Sequence, residues 1–199
     1  MAESSLQHDL FAQLKEASSL EQSSLTVLIG RRYTSLFADS GMGWLLYGVA
    51  LVETAQYHDA QKALMRAIRL CPDDRLHIPY SHLGHMHKRK GNLKIAAKWY
   101  QKTIAVTPDD AGGHIYLGAV LALQGKLKEA IKCHRTATQC KEGCVEEAFL
   151  NLGLVLRAQG KLKLAKAALQ KALSLDNNYE PAREALEDVT HAIQYRVPL

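Results

Sequence analysis

The sequence predicts an all-α fold, a solenoid of four stacked helix-turn-helix units. Three observations carry this. One pattern returns four times: an aromatic residue or His, then Leu or Tyr three residues on, then Gly, then Ala twelve residues after the Gly. The motif glycines, Gly48, Gly84, Gly118 and Gly153, are spaced by 36, 34 and 35 residues. Each copy also holds two runs whose large apolar residues recur at three and four, the period of a helix face. Finally, 47% of the 199 residues are apolar and 23% charged, with only 5 Pro and 13 Gly, which excludes a mainly disordered or collagen-like chain.

Residues 1–40 lack the pattern. Leu6, Leu10, Phe11 and Leu14 make one amphipathic run and Leu25 to Phe37 a second, so a helical hairpin capping the first copy is expected, ahead of a separate small binding element. Copy one, about 41–74, carries Trp44, Tyr47, Gly48, Ala60, Leu64, Ala67 and Pro72. Copy two, about 77–110, carries Tyr80, Leu83, Gly84, Ala96, Tyr100, Thr103 and Pro108. Copy three, about 111–144, carries His114, Leu117, Gly118, Ala130, His134 and Ala137. Copy four, about 146–178, carries Phe149, Leu152, Gly153, Ala165, Leu169 and Ala172. Two extra residues fall between copies one and two, around Arg75 to Ile78.

Turns separate the two helices of each copy at Gln56-Tyr57-His58, Gly91-Asn92, Gly125-Lys126 and Gly160-Lys161. Gly after a helix permits the left-handed C-terminal cap. Pro72 and Pro108 stop the second helices, and Asp73-Asp74 and Asp109-Asp110 are placed to cap the next. The motif Gly, by contrast, lies inside a helix, where it costs about 1 kcal/mol against Ala. Close approach of the paired helix, with its recurring small Ala, is the expected gain. Residues 179–199 read as a C-terminal capping helix and tail, with Pro181 in its first turn, Leu186, Val189 and Ile193 inward, and Glu184, Glu187 and Asp188 outward. A single helix pair cannot bury its apolar stripe, so the pairs stack and share a core.

The motif residues resemble the tetratricopeptide repeat, whose period is about 34 residues with a Trp-x-x-Leu-Gly-x-x-Tyr…Ala…Phe…Ala…Pro pattern. The resemblance covers residues 41 to about 178. Departures are Glu142 and Asn177 where Pro is usual, and His87 where Tyr is usual. It implies a right-handed superhelix and a non-catalytic protein–protein interaction module, an adaptor or assembly scaffold.

The chemistry-bearing residues support no enzyme. No nucleophile with its base stands out, and none of the motif glycines lies in a phosphate-binding loop followed by Lys-Ser/Thr. His82 and His85 share a helical face but have no Cys, Asp or Glu near them in sequence, and Cys140 and Cys144, with Cys133 and His134 nearby, lack a second ligand pair. No metal and no cofactor are expected, and the four Cys read as free thiols of a reducing compartment. The longest run free of strongly polar groups, Gly41 to Val52, is shorter than the roughly 18–20 residues a membrane span needs. The first residues lack the basic and apolar regions of a secretory signal, so a cytoplasmic location is expected.

Charge is uneven. The net charge is +5, yet residues 1–40 are net acidic, and no Asp or Glu occurs from Arg75 to Pro108. Lys94, Lys98 and Lys102 step by four along one face of a second helix. The resemblance implies that first helices line a partner-binding groove. Its positions carry over onto Met42, Leu45, Val49 and Val52; Ser81, His85, Lys88 and Arg89; Ile115, Ala119 and Ala122; and Leu150, Leu154 and Arg157. Such a groove, apolar with a basic centre, suits a protein or peptide segment with apolar anchors and an acidic group. The two-carboxylate clamp of chaperone-binding members is not matched, because Leu45 and Val49 stand where its Lys and Asn would be. The alternative function is nucleic-acid or polyanion binding through the basic face of copy two. Self-association through the ends or the apolar groove is compatible with the pattern.

Overall fold

A computed structural model describes residues 2–195 of the chain. Among these, eleven α-helices are joined by short turns, one of them a 3₁₀ turn; the sole β feature is an isolated bridge between Asp110 and Glu142. The chain forms two compact units, residues 1–90 and 91–199, each described by itself below.

The first unit contains α1 (Ala2–Ser19), α2 (Ser23–Leu36), α3 (Gly41–Glu53), α4 (Tyr57–Leu70) and α5 (His77–Arg89). Consecutive helices pack on each other, and α3 also touches α1 and α5, so α1, α3 and α5 form one layer and α2 and α4 the other. Ser40 starts α3 by accepting a hydrogen bond from the Gly43 N–H at 3.2 Å, satisfying one of the free donors of the first turn. Leu10, Leu14 and Tyr33 form the core of the N-terminal hairpin, with Phe11, Ile29, Phe37 and Leu46 around them.

That hairpin departs from the motif yet keeps its geometry. Glu21, in its turn, has φ +55°, and stands 34 residues before Ala55, whose φ is +58°. The sizes are inverted. Leu14, fully buried, stands where the later copies have Gly, and Gly30 stands where they have a large residue. An added Cβ on Gly30 would lie 2.9 Å from the Tyr47 side chain, so the small residue admits that ring.

Two local expectations are corrected in this unit. Asp73 and Asp74 do not cap α5. With Arg75 they form the 3₁₀ turn (Asp73–Arg75), and α5 starts after Leu76 without a side-chain cap. The extra residues between copies one and two are thus taken up as a tight turn. The turn of copy one is made by Ala55, in the register that Gly91, Gly125 and Gly160 occupy later, all with φ between +72° and +76°.

The second unit contains α6 (Leu93–Val106), α7 (Ala111–Leu123), α8 (Leu127–Ala137), α9 (Val145–Ala158), α10 (Leu162–Leu175) and α11 (Glu180–Gln194). Each helix packs on the next, and α9 also contacts α7 and α11. Hence α7, α9 and α11 form one layer, and α6, α8 and α10 the other. One core runs through the stack, from Tyr100 through Val120, Leu156 and Leu169 to Val189. Asp110 caps α7, its carboxylate accepting from the Gly112 N–H at 2.7 Å. The loop before α9 is tied back to it: the Ala111 N–H donates to the Glu142 carbonyl at 3.0 Å.

Gly48, Gly118 and Gly153 admit the close approach of the paired helix that the spacing suggested, and the nearest group in each case is a large residue of that helix. An added Cβ would come within 2.9 Å of the Leu64 side chain at Gly48 and 2.7 Å of Leu169 at Gly153. At Gly118 it would lie 2.5 Å from Cε1 of His134. The alanines line the same contact further along, fully buried at Ala60, Ala130 and Ala165.

Candidate functional site

In the first unit, polar side chains gather on α3 and α5. Glu53 ends α3, and Arg89 ends α5. The Arg89 guanidinium donates to the Glu53 carboxylate at 3.0 Å and to the Val52 carbonyl at 3.2 Å. One and two turns earlier on α5, the rings of His85 and His82 meet edge to face with centroids 5.8 Å apart. Burial holds both imidazoles below the usual histidine range. For His85, the neighbouring His82, Lys88 and Arg89 add to this and bring it to about 4. Both rings are therefore neutral at physiological pH, and the charge on this face comes from Lys88, Arg89 and Glu53. Lys88 is exposed and makes no ion pair among the described residues. Val49 and Glu53 also line a cavity of about 350 Å³ with Ser18, Glu21, Ser23 and Thr26, where α2 begins beside α3.

In the second unit, the α7–α9–α11 layer presents half-buried Ala119, Ala122 and Leu154, with Leu123 60% exposed. Arg157, on α9, is ion-paired with Asp188 on α11. Among the described residues no group of three His, Cys, Asp or Glu side chains is placed to hold a metal ion. The four cysteines are free, Cys144 exposed and the others half-buried.

These positions sort the residues expected to line a groove. Leu45, Val52, Ile115 and Leu150 are corrected: all are at most 7% exposed, because they face neighbouring helices and serve the core. Met42, Val49, Ser81, His85, Ala119, Ala122 and Leu154 are half-buried, and Lys88, Arg89 and Arg157 are exposed. The Ser81 hydroxyl is spent on the Ile78 carbonyl at 2.8 Å. Arg89 and Arg157 are each paired with an acid of their own chain. The residue-level reading missed Glu53, although a register signal existed: Glu53 and Arg89 both stand five residues after their motif glycines. Asp188 had no such signal, since it lies outside the repeats.

Family models of the tetratricopeptide repeat match residues 43–74, 83–138 and 146–179, more than half of the chain, and the chain belongs to this family. It is similar to human Tetratricopeptide repeat protein 7A, 30% identical over 67% of this chain, and to human Superkiller complex protein 3, 28% identical over 77%. It spans only 15% and 9% of those two proteins' lengths. Among solved structures it resembles YrrB, described as a tetratricopeptide repeat protein with an unusual peptide-binding site. The TM-score is 0.64 at 19% identity, covering 87% of this chain and 88% of that one. No helix among the described residues is long and apolar enough to cross a membrane.

Proposed function

We propose that the chain is a non-catalytic adaptor or assembly scaffold that holds a segment of a partner protein against its first-helix layers. Membership of an interaction-repeat family supports the general reading. The observation that carries the finer one is the α3–α5 cluster of the first unit. There, unpaired Lys88 stands one turn from half-buried His85 on α5, and the Arg89–Glu53 pair joins this face to the end of α3. The segment's acidic group would meet Lys88 over a surface already partly dry, where a charge-assisted hydrogen bond contributes more than on an open surface.

The test is photo-crosslinking from native extract with the reactive group placed at position 81, on α5 one turn before His85, and at exposed position 128 as the control. Crosslinks at 81 that are lost with His85→Ala plus Lys88→Glu support the proposal. Crosslinks only at 128 sink it. A second reading, polyanion binding through Lys94, Lys98 and Lys102, is favoured by the lack of acids on α6. It requires capture that falls steeply with salt, by a log–log slope of about −0.7 to −0.9 per phosphate contacted.

A further inference from the structure

The outer layer of the second unit carries a site separate from that face. Each of its helices, α6, α8 and α10, bears three lysines or arginines, and Glu129 is the one acid on them. Between α6 and α8, over α7, lies an open cleft of about 710 Å³. Its floor is apolar: half-buried Ala97, Ile104 and Cys133, with the core residues Leu117 and Leu121, each 8% exposed, beneath them. Its rim is mainly basic, with Lys94 and Lys98 on the α6 side and Lys126 and Lys132 on the α8 side; Glu129 also lines it and pairs with Lys126 at 4.0 Å. Lys102, though on the same helix as the first two, is not part of it. Its ammonium sits over the Trp99 ring, 4.5 Å from the centroid. The stripe read from sequence is therefore split, two lysines serving the cleft and one serving Trp99.

We infer that this cleft between α6 and α8 binds an acidic amphipathic helix of a partner protein. Charge and shape decide the occupant together. A nucleic-acid backbone would use the lysines and leave the apolar floor uncovered, and a flat membrane surface does not enter a cleft. A helix with an apolar stripe flanked by Glu or Asp covers both: its stripe on half-buried Ala97, Ile104 and Cys133, its acids on the lysines of the two sides. This is helix-in-groove recognition, with specificity from the rim charges and contact area from the floor. Lys94, Lys98 and Lys132, the rim lysines without an acid of their own among the described residues, are also unfavourable to each other, and an acidic occupant relieves that repulsion.

The test uses a fluorescein-labelled helical peptide of about four turns, with a leucine stripe flanked by glutamates, and the same peptide with lysines replacing the glutamates. The full chain should bind the acidic peptide and not the basic one. Lys98→Glu with Lys132→Glu should weaken binding by about tenfold or more, a loss of about 1.4 kcal/mol or greater. Lys128→Glu with Lys163→Glu, the same charge change outside the cleft, should weaken it several-fold less. As a readout of position, the peptide should slow alkylation of Cys133, which lines the cleft, and not that of exposed Cys144. No binding of the acidic peptide overturns the inference, and so does unchanged alkylation of Cys133. Equal losses in the two lysine pairs, or displacement of the peptide by oligothymidylate, overturn it in favour of a general polyanion surface.

Discussion

Replacing His134 by Leu should stabilise the protein, most of all in mild acid. The His134 side chain is fully buried against Gly118, and neither ring nitrogen has a hydrogen-bond partner. Leu64 and Leu169 hold the same position in copies one and four, packed against Gly48 and Gly153, so the site accepts Leu without rebuilding. Each buried unsatisfied polar group costs about 1–3 kcal/mol. After allowance for imperfect packing, the net gain should be about 2 kcal/mol at about pH 7. Burial pushes the imidazole down to about 4, from 6.5 in an open chain. The unfolded chain thus binds a proton that the folded one refuses, and stability falls as pH drops from about 6.5 towards about 4. Over that whole window the loss is on the order of 3 kcal/mol. His82, His85 and His87 are shifted the same way and add their own losses, so the difference between wild type and variant isolates position 134. Urea unfolding followed by circular dichroism at about pH 7 and about pH 5 measures it. A variant no more stable than wild type, or one that loses as much stability on acidification, would refute the reasoning.

Three further outcomes follow from the backbone and the loops. Ala55→Gly should raise stability by about 0.5–1 kcal/mol in the same assay. It relieves a left-handed residue in an exposed turn, and the gain is partly offset by the freer unfolded chain. Gly143→Ala should cost about 1–2 kcal/mol, since its φ is +81° and a Cβ would lie 3.1 Å from the Ala111 nitrogen and 3.2 Å from the Asp110 carboxylate; a melting temperature equal to wild type would contradict this. Cys140→Ser with Cys144→Ser should change stability by less than about 0.5 kcal/mol, Cys144 being exposed and Cys140 at the loop edge, and elemental analysis should find the same metal content in both proteins.

What the sequence determined by itself was the repeating unit. The spacing of Gly48, Gly84, Gly118 and Gly153, the glycine turns, and the apolar residues at three and four specify antiparallel helix pairs through local chemistry alone. Partner and exposure were another matter. Helix α7, Ala111–Leu123, contains no charged residue and is apolar nearly all round, because α6, α8 and α9 all pack on it. A helix surrounded in this way has no strong amphipathic contrast, and its pattern cannot say which side stays open. So Ile115 and Ala119, both read as groove residues, part company, one 2% exposed and the other half-buried. Charges were legible as residues and illegible as pairs. Arg157 meets Asp188 from 31 residues away, across two helices, and nothing in either segment encodes the meeting. The basic stripe of α6 behaved likewise: only the placement of α8 beside α6 decided which of its lysines rim a cleft. Helices arise from neighbours in the chain, whereas a binding surface arises from which helix faces are left uncovered after stacking, and that is settled only when the pairs come together.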